Sequence, residues 1–160
     1  MENAKPFTHI VIHHTGAEEK NTEQIRRYHL SRGWQDIGYH YVIERDGKIV
    51  SGRRLSAFGA HCLAGGMNQK AIGIALIGNF EETYPSFQQV QSLEKLLREL
   101  SLRFNMGPAN ILLHQQVVGA KTLCPGKKFS RLFTKNIGKI SLNIEHMFGK
   151  IGLKDGAKQL

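Results

Sequence analysis

At 160 residues the chain has the length of one ordinary domain, enough to bury a core without staples. Its 41% hydrophobic and 22% charged residues are a globular balance, and no run reaches the roughly 18 consecutive apolar residues of a membrane helix. Lysine and arginine outnumber acids by 22 to 13, a formal charge of +9 that favours attraction to polyanions such as nucleic acid, anionic lipid or bacterial wall polymers without choosing among them. No arginine-rich run or aromatic-basic motif points to nucleic acid.

The first six residues lack the apolar stretch of a secretion signal, so the chain is expected to be made in the cytoplasm with Cys62 and Cys124 reduced. A disulfide between the two after release is the alternative. Residues 8–14 are apolar and β-branched around histidines, the pattern of a short central strand buried on both faces. Alternation along it places His13 and His14 on opposite sides of the sheet. Asn21 or Thr22 can cap a helix whose apolar face carries Ile25, Tyr28 and His29 and which Gly33 ends.

Residues 39–45, followed by Asp46, Gly47 and then residues 48–50, read as a β-hairpin with a tight primed turn. Residues 53–70 read as irregular, a long loop carrying His61 and therefore a candidate for lining a site. The run of apolar and small residues at 71–78 suits a buried central strand. Pro85 and Ser86 open the clearest helix, with Phe87, Val90, Leu93, Leu97, Leu100 and Phe104 spaced by threes and fours before Gly107 and Pro108 stop it. Residues 110–113 form a short strand ending at His114. This order of elements predicts a single α/β or α+β domain, a mixed central sheet flanked by helices. After residue 135, Ile137, Ile140, Ile144, Met147, Phe148 and Ile151 recur at helical spacing among lysines, so residues 136–160 read as an amphipathic extension packed on the domain or lying on a membrane surface.

The stretch from His114 to Gly126 offers a metal ligand at each end, His114 and Cys124, both suited to zinc. Two ligands do not hold the ion, and the histidines of residues 8–15 are the source of a third. Two cysteines without a CxxC exclude a zinc finger or ribbon. Three protein ligands with a fourth position open describe a catalytic site at one end of the sheet. Pro125 and Gly126 set a turn, and a helix beginning near Lys127 is expected to lower the Cys124 pKa through its dipole.

Several ordered blocks together carry a family resemblance. They are Ile-Val-Ile-His-His-Thr at 10–15, Gly-Trp-Gln-Asp-Ile-Gly-Tyr-His-Tyr at 33–41, Arg-Asp-Gly-Lys-Ile at 45–49, Gly-Ala-His-Cys at 59–62, the block at 71–79, and Cys-Pro-Gly at 124–126. Over residues 8–133 the chain resembles the zinc-dependent N-acetylmuramoyl-L-alanine amidases of the phage lysozyme and peptidoglycan recognition protein group. The resemblance implies cleavage of the amide between N-acetylmuramic acid and L-alanine of peptidoglycan, with an amidase domain over 1–135. By position it implies one zinc ion on His13, His114 and Cys124, with Tyr39 acting on the transition state. His114 and Cys124 are ten residues apart, where many relatives have eight. Thr122 holds the family's remaining polar position and Lys121 precedes it; strict position favours the first and charge the second. His61 falls in a matched loop, where it lines the substrate groove or supports a ligand from behind. Trp34, Asp36, Asn68 and Asn79 read as an aromatic plug and turn-fixing polar residues.

A basic lone domain without a signal fits a monomeric lytic enzyme of phage type, released to act on the wall. A cytoplasmic enzyme recycling muropeptides and a non-enzymatic peptidoglycan-binding module are the alternatives.

Overall fold

The computed structural model describes residues 3–133. Five strands form one mixed sheet: β1 (His9–His14), β2 (Tyr41–Ile43), β3 (Ile49–Ser51), β4 (Ala71–Leu76) and β5 (Ile111–Leu113), in the spatial order β3-β2-β4-β1-β5. β1 pairs in parallel with β4 on one side and β5 on the other, β2 runs parallel to β4, and only β2 with β3 is antiparallel. All six residues of β4 are buried, as are the four central residues of β1, which explains why both read as unbroken apolar runs and not as alternating ones.

Three helices and a short helical segment cover the faces. α1 (Thr22–Ser31) is capped by Asn21, whose Oδ1 accepts from Gln24 N at 2.9 Å, and Gly33 follows it at φ +85°. Ile25 is its one buried apolar residue, packing with Ile37, Val42 and Ile77, while Tyr28, expected on the same face, is exposed. α2 (Met67–Lys70) is a single turn that follows a 3-10 turn at Ala64–Gly66, so the stretch 53–70 is less irregular than its composition suggests. α3 (Phe87–Phe104) starts from a capping box between Ser86 and Gln89, and buries Leu93, Leu96, Leu97 and Leu100 against Ile10, Ile12, Ile72, Ile74 and Leu76. Residues 127–133 are helical and add Phe129 and Phe133 to that same core.

Two local expectations change. Phe87 lies exposed and Val90 half-buried, because Gln89 takes the inward position of the first turn of α3. Its Nε2 donates to Ile43 O at 3.2 Å and Ile77 O at 2.9 Å, beyond the reach of an apolar side chain. The hairpin turn has positive φ at Gly47 alone, with Gly47 N donating to Glu44 O and Glu44 N to Lys48 O. That is a three-residue loop with one left-handed glycine, not a two-residue primed turn. The amphipathic extension expected over 136–160 lies outside the described residues.

Candidate active site

β1 and β5 are neighbours with Ile12 opposite Leu113, so the next residue of each chain segment, His13 and His114, emerges at the same end of the sheet. The loop after His114 returns to that end through a bond from Gln115 N to Cys124 O at 2.9 Å. The ligand atoms of His13, His114 and Cys124 consequently all lie within 4.8 Å of one another. His13 Nδ1 is 3.7 Å from Cys124 Sγ, and the His13 and His114 rings sit 4.6 Å apart. Nitrogen and sulfur ligands on one tetrahedral zinc stand about 3.3 to 3.6 Å apart, so this donor set fits the ion with small adjustments. His14 points to the other face, as the alternation expects. Its Nδ1 accepts from Phe80 N at 3.0 Å.

The electrostatics suit a cation. Burial holds the His13 pKa well below the ordinary histidine value, reinforced by His61, His114 and His14; burial lowers that of His114 too. Both are neutral imidazoles at neutral pH, with lone pairs free to bind metal. Burial pushes the Cys124 thiol up to about 12. The helix over 127–133 is present, but the thiol is raised by burial and not lowered as the sequence reading expected. A cation bound there would take the place of that proton.

Around this cluster the other expected residues take separate places. The Tyr39 ring lies 5.3 Å from that of His13, and burial raises its phenol above the ordinary range. Thr122 is half-buried, and its Oγ1 accepts from Cys124 N at 3.1 Å, leaving its own hydrogen to donate. Lys121 is exposed, so its charge is solvated, which weakens the case for it from charge alone. Both line an open groove of about 480 Å³ shared with Trp34, His61, Asn68 and His114. The groove meets the histidine-cysteine cluster at His114.

His61 is tied on both ring nitrogens: Nδ1 to His13 Nε2 at 2.9 Å, and Nε2 to Ala71 O at 3.1 Å. Burial draws its pKa down to about 3 against that carbonyl bond. Only the ring's carbon edge is left to face the groove. Trp34 is no plug; 38% exposed, its ring lies tilted against that of His29 at 4.4 Å and offers the groove an aromatic wall. Asn68 and Asn79 do fix turns, Asn68 Oδ1 accepting from both His61 N and Cys62 N at 2.7 Å, and Asn79 Oδ1 from Glu81 N at 3.2 Å. Asp36 accepts from Ile37 N and pairs with Arg26. Cys62 is free and buried with Val11, Ala71 and Val117, and Cys124 is free as well. The glycines behind His61 escaped the sequence reading, although Gly59 in the Gly-Ala-His block and Gly73 inside a β-branched run were visible signals.

A parallel-centred sheet that ends in a two-histidine, one-cysteine cluster beside a groove defines a mixed α/β domain with a candidate metal site at one sheet end. The N-acetylmuramoyl-L-alanine amidase family matches residues 3–127, and the chain belongs to that family. It is 34% identical over 118 residues to an endolysin of Klebsiella phage KP32, covering 71% of this chain and 74% of that protein. It is equally 34% identical over 132 residues to peptidoglycan-recognition protein SC2 of Drosophila melanogaster, covering 77% and 70%. Its fold is similar to that of the N-acetylmuramoyl-L-alanine amidase LysC from Clostridium intestinale, with a TM-score of 0.72 and 38% identity over 82% of this chain and 85% of that one.

Proposed function

We propose that this chain hydrolyses the amide between N-acetylmuramic acid and L-alanine in peptidoglycan, as a zinc-dependent lytic enzyme of phage or prophage type. The observation that carries the reading is the convergence of His13, His114 and Cys124 within 4.8 Å, beside an open groove that His114 lines. His13, His114 and Cys124 would hold a zinc ion, which would supply an acidified water and polarise the scissile carbonyl. The two imidazoles contribute neutral lone pairs and Cys124 gives up its proton, so the three side chains hold a dication while neutralising part of its charge.

The remaining chemistry falls to the chain's own donors. Tyr39, beside His13 and kept protonated by burial, donates its hydroxyl hydrogen to the oxygen that gains charge as the carbonyl becomes tetrahedral. Thr122 is placed to donate a second hydrogen bond from the Cys124 loop. Lys121, at the groove's edge, orients the anionic stem peptide. The groove takes the glycan and peptide on either side of the bond, with Trp34 as an apolar face for the sugar. The net charge of +9 holds the enzyme, as a monomer, to an anionic wall after its release from the cytoplasm.

Purified sacculi digested with the zinc-loaded chain are expected to release free stem peptides, identified by mass, since only this cut frees them. Intact sacculi should be cleaved in preference to soluble anhydro-muropeptides. Absence of stem peptides, or undiminished release by a Cys124→Ser variant stripped of metal, refutes the reading.

A further inference from the structure

The His13 ring is held from behind by a two-bond chain whose direction is fixed by chemistry. The Ala71 carbonyl can only accept, so His61 Nε2, 3.1 Å away, carries a hydrogen and donates it. A neutral imidazole has one N–H, which leaves His61 Nδ1 as an acceptor. His13 Nε2, 2.9 Å from that nitrogen, must then be the protonated one. His13 Nδ1 is thereby left with the lone pair, on the side where Cys124 Sγ stands 3.7 Å away.

The fold keeps His61 in this place by leaving room for nothing else. A Cβ at Gly73 would fall 2.5 Å from His61 Cδ2, and one at Gly59 would fall 2.3 Å from the same atom. Gly73 belongs to β4, the strand paired with the one that carries His13, and so does Ala71. Asn68 fixes the backbone, with Oδ1 accepting from His61 N and its carbonyl accepting from Gly59 N at 2.9 Å.

We propose that the Ala71 carbonyl, acting through His61 in its two-glycine slot, sets the tautomer in which His13 presents Nδ1 to the metal. His61 is on this account a positioning residue and not a substrate contact. The proposal rests on the metal reading above, and its direction is opposite to that of a histidine free to offer either nitrogen. Groups that orient a ligating histidine in this way typically change metal affinity by about 10 to 100-fold when removed.

Nitrogen-15 histidine spectra of the full chain, zinc-loaded and after chelation, test the assignment without any activity measurement. His61 should be the Nε2–H tautomer, with a scalar coupling across the bond between His13 Nε2 and His61 Nδ1. A hydrogen on His61 Nδ1 at neutral pH overturns the proposal. Zinc affinity, read by chelator competition, should fall about 10 to 100-fold in His61→Leu. It should largely recover in His61→Asn, whose amide oxygen stands where Nδ1 stood. Equal loss in the two variants overturns the proposal, as does wild-type affinity in His61→Leu. Should His61→Leu fail to fold, the wild-type tautomer decides alone. A wild-type chain that takes up no zinc refutes the metal reading, while the tautomer still stands or falls on the spectra.

Discussion

Tyr39 and Cys124 are both held protonated by burial, with opposite consequences for the proposed chemistry. The cysteine must lose its proton to ligate, whereas the tyrosine is useful because it keeps its own. Tyr39→Phe is therefore expected to retain its zinc and lose about 10² to 10³ in turnover, the usual effect of removing one oxyanion donor. Metal analysis beside the sacculus assay checks this, and loss of zinc in the variant would make Tyr39 a support for the site. Thr122→Ala and Lys121→Ala belong in the same comparison. Thr122→Ala should cost turnover, because Thr122 is half-buried and bonded into the Cys124 loop; exposed Lys121 should mainly raise KM.

Among the elements, α3 shows how a polar residue can override a periodic apolar pattern. Gln89 is fully buried, donates to the carbonyls of Ile43 and Ile77, and accepts from Ser86 N at 3.0 Å, joining the helix start to the ends of β2 and β4. Gln89→Leu would satisfy the sequence pattern better and remove the side-chain donor from Ile77 O, while Ile43 O keeps its bond from Ile77 N at 3.0 Å. A loss of about 1 to 3 kcal/mol is expected on chemical denaturation, the usual cost of one buried group left unpaired. An unchanged denaturation midpoint would show that the bridge contributes nothing. The parallel pairing of β1 with β5 works at the same scale: a one-residue slip would turn His13 to the opposite face and dissolve the cluster.

For the molecule as a whole, the three proposed ligands come from one strand, the segment after a second strand, and a distant loop, so a bound ion would tie together segments far apart in the chain. Zinc at 100 times its Kd should stabilise the fold by about 2.7 kcal/mol, on the order of 5 to 10 °C in Tm. Acid acts on the stripped protein independently. The pKa of His13 is lowered in the folded state and that of His61 is drawn to about 3, so below about pH 6.5 the unfolded chain binds protons the folded chain refuses. Stability should be fully present above that pH and decline as it falls toward 3. Thermal melts with and without chelator between pH 8 and pH 5 check both parts; a stripped form with a constant Tm from pH 7 to pH 5 would contradict the second.

Much of this was legible in the sequence, because strand and helix periods, caps and stop signals are local properties. The buried runs at 8–14 and 71–78, the capped helix from Ser86, and the opposite facing of His13 and His14 follow from side-chain alternation and backbone chemistry alone. The matched blocks further indicated which residues would meet. What local pattern could not decide was anything set by contact between distant segments. Tyr28 and Phe87 turned outward, and Gln89 turned inward, where its amide bridges the Ile43 and Ile77 carbonyls. The Cys124 thiol rose where a helix dipole alone would have lowered it, since desolvation depends on everything packed around the sulfur. The hydrogen-bonded line from Ala71 through His61 to His13 likewise exists only because β4 lies beside β1, bringing together residues 58 positions apart in the chain.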